Sequence, residues 1–316
     1  MRGSAKTPCV YGVLKKAFAH SIERGMKRRT TWILIILVIL ILAGWGAGRA
    51  FKALKPAVGI LEIDGVITES VVYLDAIRDF ERDDTVKAVV VRLDSPGGKV
   101  GPSQEIHAAL ASLRRKKPVV ASLGALGASG AYYIACAADT VYALPGTMTG
   151  SIGVIMEFFD ASEGLRRVGL QAKSVTSGAL KDAGSPFRPM TDAERAYFKD
   201  LVDDVHAQFV EAVSKGRRLK PERVKALADG RIFTGRQAMG LGLVDRLGGL
   251  DDAVREAGSR ASIEGEPRIV KAGDQKGAWD MVKRFLKTTG PALPGAVRLF
   301  EEGRTRGSVS LEYSIP

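Results

Sequence analysis

The chain has 316 residues, 46% of them hydrophobic, and a formal net charge of +12, so it can bury a sizeable core and is not a disordered polymer. The charge is unevenly placed: up to Arg49 there are nine Lys and Arg against one acid, Glu23, which leaves only +4 for the rest. That distribution argues against a basic nucleic-acid face. Two cysteines and three histidines with no CxxC or His-x-x-x-His spacing offer no metal site, and no cofactor motif is present.

Lys27, Arg28 and Arg29 stand directly before a charge-free run from Thr30 to Gly48, close to the roughly 20 residues that cross a hydrocarbon core. Trp32 and Trp45 lie near its ends, where indole rings favour the interface, and the preceding basic cluster keeps the N-terminus inside. The expectation is a cytoplasmic segment 1–29, a single-pass anchor 30–48 in the cytoplasmic (inner) membrane, and an extracytoplasmic remainder. The small residues of "LAGWGAG" would also suit a cleaved signal peptide, but the basic region is long and the apolar run exceeds the usual signal core. Cys9 and Cys136 then lie on opposite sides of the membrane and form no intrachain disulfide.

After a linker, 49–56, β-like runs alternate with helical patterns: "AVGILEIDGVIT", "KAVVVRLDSPGG", "SQEIHAALASLRRKK" and "PVVASLG". This order predicts an α/β domain with parallel strands and crossover helices. "TVYAL" and "GSIGVI" read as further strands, and "LRRVGLQAKSVTSG" as a helix end returning to a strand. From Thr191 apolar residues recur every third or fourth place, with Thr191 and Glu194 as a capping box. "KPERVKALADG" and "TGRQAMGLGLVDRLGGLDDAVREA" add a helical pair, and the globular part, 57–261, closes near Ala261. In the extension 262–316, Trp279, Val282, Phe285 and Leu286 with Lys283, Arg284 and Lys287 form a short basic amphipathic pattern, suited to a membrane surface or a neighbouring subunit.

Two strand-to-helix junctions carry the chemistry. "DSPGGKVGPSQEI" exposes backbone N–H groups after a double glycine, which suits an oxyanion hole as well as an ordinary turn. "LGASGAYYIA" places Ser129 and Gly130 at the second junction, where the serine reads as a helix cap or as a nucleophile. His20, His107 and His206 all fall in cytoplasmic or helical surroundings. Lys181, in the Gly- and Ser-rich "VTSGALKDAGSPFRPMT", is the other candidate base, since a lysine works as one where its amine is desolvated.

Taken together and in this order, "LDSPGG", "GASGAYYIA", "TGSIGVI", "SGALKDAGSPFRPMT" and "ADGRIFTGRQAMGLGLVDRLGG" resemble the short bacterial form of signal peptide peptidase A. The resemblance, running from about Ala57 to about Ala261, implies a Ser-Lys serine endopeptidase on the Clp protease/crotonase-like fold of repeated strand-strand-helix units, behind one N-terminal transmembrane helix. It makes Ser129 the nucleophile, Lys181 the general base, Ser151 the hydroxyl that orients the lysine, and the backbone N–H groups of Gly98 and Gly130 the oxyanion hole. It also implies a homo-oligomeric ring in which serine and lysine come from neighbouring subunits, no cofactor, and peptide substrates such as signal peptides or misfolded membrane polypeptides. The alternatives are a catalytically inert membrane-anchored scaffold on the same fold, and a crotonase acting on thioesters. Ser129 together with Lys181 argues against the first, and the membrane span and the "SGALKDAGSP" loop against the second.

Overall fold

The computed structural model describes residues 55–273; the expected anchor 30–48 and the amphipathic pattern from Trp279 lie outside them. Among the described residues no helix is long and apolar enough to cross a membrane.

Three long strands form the centre: β1 (Ala57–Asp64), β2 (Val86–Ser95) and β3 (Val119–Ala128). They pair in parallel, β1 with β2 and β2 with β3, as the alternation of strand and helix patterns predicts. Their near-continuous apolar runs follow from burial on both faces. On one face Val58, Ile60, Val90 and Val120 pack against Ala253, Val254 and Ala257 of the helix Leu250–Arg260. On the other, Leu61, Ile63, Val91 and Leu93 join the main core with Ile106, Tyr132, Phe209 and Val213.

The third strand then divides its free edge between two partners. Val120–Ser122 pairs with β4 (Thr140–Ala143), and Leu126–Ala128 pairs with β5 (Met148–Gly150), both in parallel. Strand β6 (Ile232–Thr234) closes the β5 side antiparallel, and β7 (Arg246–Leu247) extends β4. The β2–β3 register slips between Leu93 and Ser95, where the Asp94 carboxylate accepts the Leu126 N–H at 3.0 Å. A side chain thus occupies the ladder position that the irregular backbone leaves open.

The helices in chain order are α1 (Val71–Arg82), α2 (Val100–Arg114), α3 (Gly130–Ala135), α4 (Ser162–Arg167), α5 (Asp192–Arg217), α6 (Pro221–Lys225), α7 (Gly235–Leu241) and α8 (Leu250–Arg260). The capping box of α5 is formed as expected: Glu194 N–H donates to Thr191 Oγ1, and Thr191 N–H donates to Glu194 Oε2 at 2.9 Å. Other expectations are corrected. "GSIGVI" is not a strand beyond Gly150, because Ser151 turns to φ 48°. The segment after α4 forms turns around Lys181 rather than a strand. Strand β8 (Arg268–Lys271) lies beyond Ala261 and pairs in parallel with β1.

Candidate active site

Ser129 sits between the end of β3 and the start of α3, half-buried, with φ 52° and ψ −122°. This conformation belongs to glycine in most turns, and a serine held there stores on the order of 1–3 kcal/mol. Its side chain makes no capping bond to α3, so the capping explanation for a serine at this junction is not realised. The strain is held by two backbone bonds: Ser129 N–H donates to Gly150 O at 2.9 Å, and Ser129 O accepts the Tyr133 N–H at 2.9 Å.

The double-glycine junction lies against this one. A Cβ on Gly130 would stand 3.3 Å from the Gly98 nitrogen and 2.5 Å from Ser103 Oγ, so only glycine fits between them. Gly98 is pinned from behind by a parallel bridge to Ile67, with Lys99 N–H donating to Ile67 O at 2.8 Å. Neither the Gly98 nor the Gly130 N–H donates to a group among the described residues. Two undonated amides beside a strained hydroxyl can hold a developing oxyanion at a carbonyl that the hydroxyl attacks.

Ser129, Ser151, Gly98 and Gly130 all line one cavity of about 530 Å³, roofed by Tyr133 and by Val202, Asp203, His206 and Phe209 of α5. Four of the five expected site residues are thereby brought together. Lys181 is not among them. It is exposed on a turn, its N–H bonded to Gly178 O at 3.1 Å. His206 does line the cavity, with its Nε2 buried and unpartnered among the described residues. His107 packs edge-on against Tyr133, ring centres 4.9 Å apart, and burial followed by the Arg114 charge lowers its pKa to about 4. Cys136 is buried and unpaired, and burial raises its thiol to about 12, which makes it inert.

Sequence reasoning missed Ser103, whose hydroxyl donates to Lys99 O at 2.9 Å beneath Gly130, and Asp94, which ties β2 to β3 just before the junctions. Ser103 sits on the Gly-Pro-Ser helix start without a motif of its own. Asp94 is part of "LDSPGG", but its role depends on a register slip that no local pattern announces.

Comparison with known proteins gives the family. Residues 111–264 match the model of peptidase family S49. A Synechocystis sp. protein named as a candidate protease, slr0021, is 43% identical over 206 residues, which cover 65% of this chain and 74% of that protein. A candidate signal peptide peptidase SppA of Enterococcus faecium is 37% identical over 183 residues, 58% of this chain and 53% of that one. Protease 4 of Salmonella typhi is 36% identical over 189 residues, 60% of this chain and 30% of its own length. The chain therefore spans about three quarters of the first relative, half of the second and under a third of the last. With its matched segment running from the last turn of α2 through α8 and enclosing the Ser129 junction, the chain belongs to peptidase family S49.

Proposed function

We propose that this chain is a membrane-anchored serine endopeptidase in which Ser129 is the nucleophile and Lys181 the general base. The observation that supports it most is the strained Ser129 beside the undonated Gly98 and Gly130 amides in one cavity. The branching of β3 between two partner strands also suits a Clp protease/crotonase-like arrangement of strand-strand-helix units.

In this reading the free amine of Lys181 takes the Ser129 proton as Oγ attacks a peptide carbonyl, and the two amides stabilise the oxyanion. The lysine then donates that proton to the departing amine, leaving an acyl-enzyme. A water deprotonated by the same amine attacks the ester, and the acid product leaves as Ser129 regains its proton. Ser151, beside Ser129 across the strand pair, orients the lysine amine. No metal or organic cofactor takes part.

Lys181 is supplied by a neighbouring copy in a homo-oligomeric ring. The exposed apolar side chains around its loop support this: Ile155 (80% exposed), Phe159 (83%), Leu170, Val175 and Phe187 are more than a solvated loop carries without a partner. The anchor at 30–48 holds the ring to the outer side of the cytoplasmic membrane. There it would meet remnant signal peptides and misfolded membrane polypeptides.

A fluorophosphonate probe and an unstructured polypeptide substrate test the assignment together. The probe should label the wild-type chain and not Ser129→Ala, and cleavage should vanish in both Ser129→Ala and Lys181→Ala. The double variant should be little worse than either single one, because nucleophile and base act as a unit. Cleavage that survives Lys181→Ala and vanishes in His206→Ala would replace the lysine base with the histidine that lines the cavity.

A further inference from the structure

The turn that carries Lys181 is tied to the start of α5 by one guanidinium. Arg188 Nε donates to Asp182 Oδ2 at 3.1 Å, and its Nη2 donates to the Asp182 carbonyl at 2.8 Å. Nη1 donates to Glu194 Oε2 at 2.9 Å, and Nη2 also reaches Glu194 Oε1. Arg188 therefore grips both the side chain and the backbone of the residue after Lys181, and on its other side a carboxylate that is 4% exposed.

Glu194 is itself fixed by the α5 capping box through the Thr191 N–H. The Arg188 hydrogen bonds, followed by that backbone bond, lower its pKa to about 2, so the pair stays ionised over any working pH. A second attachment lies nearby, where Gly184 at φ 77° packs on Phe158 and Phe198, so closely that a Cβ there would meet Phe158 at 2.6 Å. Further along, α5 presents Val202, Asp203, His206 and Phe209 to the Ser129 cavity. The Lys181 turn has no strand or helix of its own. It is anchored to the helix that lines the Ser129 cavity of its own chain.

Resting on the Ser-Lys reading above, we propose that Arg188 is a positioning residue for the general base: its fork to Asp182 and Glu194 sets where the Lys181 amine is presented. Arginine suits this task because a planar fork binds two partners at fixed angles, which a lysine cannot reproduce. Misplacing a catalytic amine by about 1 Å costs on the order of 100-fold in rate.

The test uses the full-length chain in detergent with a fluorogenic peptide. In Arg188→Ala, kcat should fall by about 10- to 100-fold while KM stays within about twofold. Added guanidinium at sub-denaturing concentration should restore part of kcat in Arg188→Ala and none in Lys181→Ala. Arg188→Lys, which keeps the charge but gathers its donors on one nitrogen, should fold like wild type and lie between the two in kcat; it carries the test alone if Arg188→Ala does not fold. A wild-type kcat in Arg188→Ala, or in Arg188→Lys where Arg188→Ala does not fold, or a loss in folded Arg188→Ala that guanidinium leaves untouched, overturns the positioning role. Activity retained in Lys181→Ala is a different result, since it removes the lysine base itself.

Discussion

Ser129 and Ser151 occupy equivalent places on adjacent strands. Each follows directly on one of the last paired residues of β3 and β5, Ala128 and Gly150, and each turns to positive φ, 52° and 48°. Ser129 N–H donates to Gly150 O, and Ser151 N–H to Arg231 O, both at 2.9 Å. Two non-glycine residues held at positive φ side by side in the lining of one cavity are what the proposed roles of their hydroxyls would require.

Ser129→Gly should therefore be more stable than Ser129→Ala. Both lose the hydroxyl, but glycine accepts φ 52° while alanine keeps the strain. The difference should be about 1 kcal/mol, after glycine's larger loss of chain entropy is subtracted. Thermal unfolding of the two variants measures it. Equal Tm values would mean that the turn is not strained as described.

Gly98→Ala should damage both stability and catalysis. Its Cβ would stand 2.1 Å from Ile67 O and 2.6 Å from Ile67 N, and these are backbone atoms that cannot rotate away. The Ile67 bridge must open, costing about 1–3 kcal/mol and moving the amide that would face the oxyanion, with a loss of about 100-fold or more in kcat. Gly101, in the first turn of α2 with open space around its Cβ position, is the control: Gly101→Ala should leave kcat unchanged and be neutral to slightly stabilising.

Much of this site is legible in the sequence because its parts are local. The GASG junction, the double glycine and the Thr191–Glu194 capping box each lie within a few residues and have a direct conformational meaning. What escapes is non-local. Helix α1 is an exception, since Tyr73, Ala76, Ile77 and Phe80 fall at helical spacing on its core-facing side and that pattern is locally legible. Strand β8 is four residues long and is defined by its partner β1. The fork of Arg188 joins a loop aspartate to a helix-capping glutamate six residues away on either side, and that spacing has no meaning until the chain turns back on itself. The positive φ of Ser129 likewise depends on Gly150, 21 positions on.

His107 makes stability depend on pH in a definite window. Its pKa is lowered from 6.5 to about 4 by burial, with Arg114 adding to it. Above pH 6.5 the folded and unfolded chains both hold it neutral, so it costs nothing. Between 6.5 and 4 the unfolded state takes up the proton and the folded state does not, so stability falls as pH falls, by up to roughly 3 kcal/mol. His107→Phe keeps a ring against Tyr133 and removes the titration. Denaturant unfolding at several pH values should show a shallower decline for the variant across this window; parallel curves would mean that His107 takes up its proton alike in the folded and unfolded chains.

The two halves of the proposed dyad are expected from different copies of the chain. Ser129 faces a cavity that does not include Lys181, and Lys181 is exposed on a turn surrounded by apolar side chains. If a neighbouring copy supplies the lysine, Ser129→Ala and Lys181→Ala chains are each inactive alone, yet a ring containing both has some junctions at which an intact serine meets an intact lysine. Mixing the two under conditions that allow subunit exchange should return a fraction of wild-type activity, rising with the extent of mixing. Fluorescent labels of two colours on the two variants report that mixing by energy transfer. Verified mixed assemblies without activity would place serine and lysine in one chain, and the Lys181 loop would then have to fold over its own Ser129 cavity during turnover.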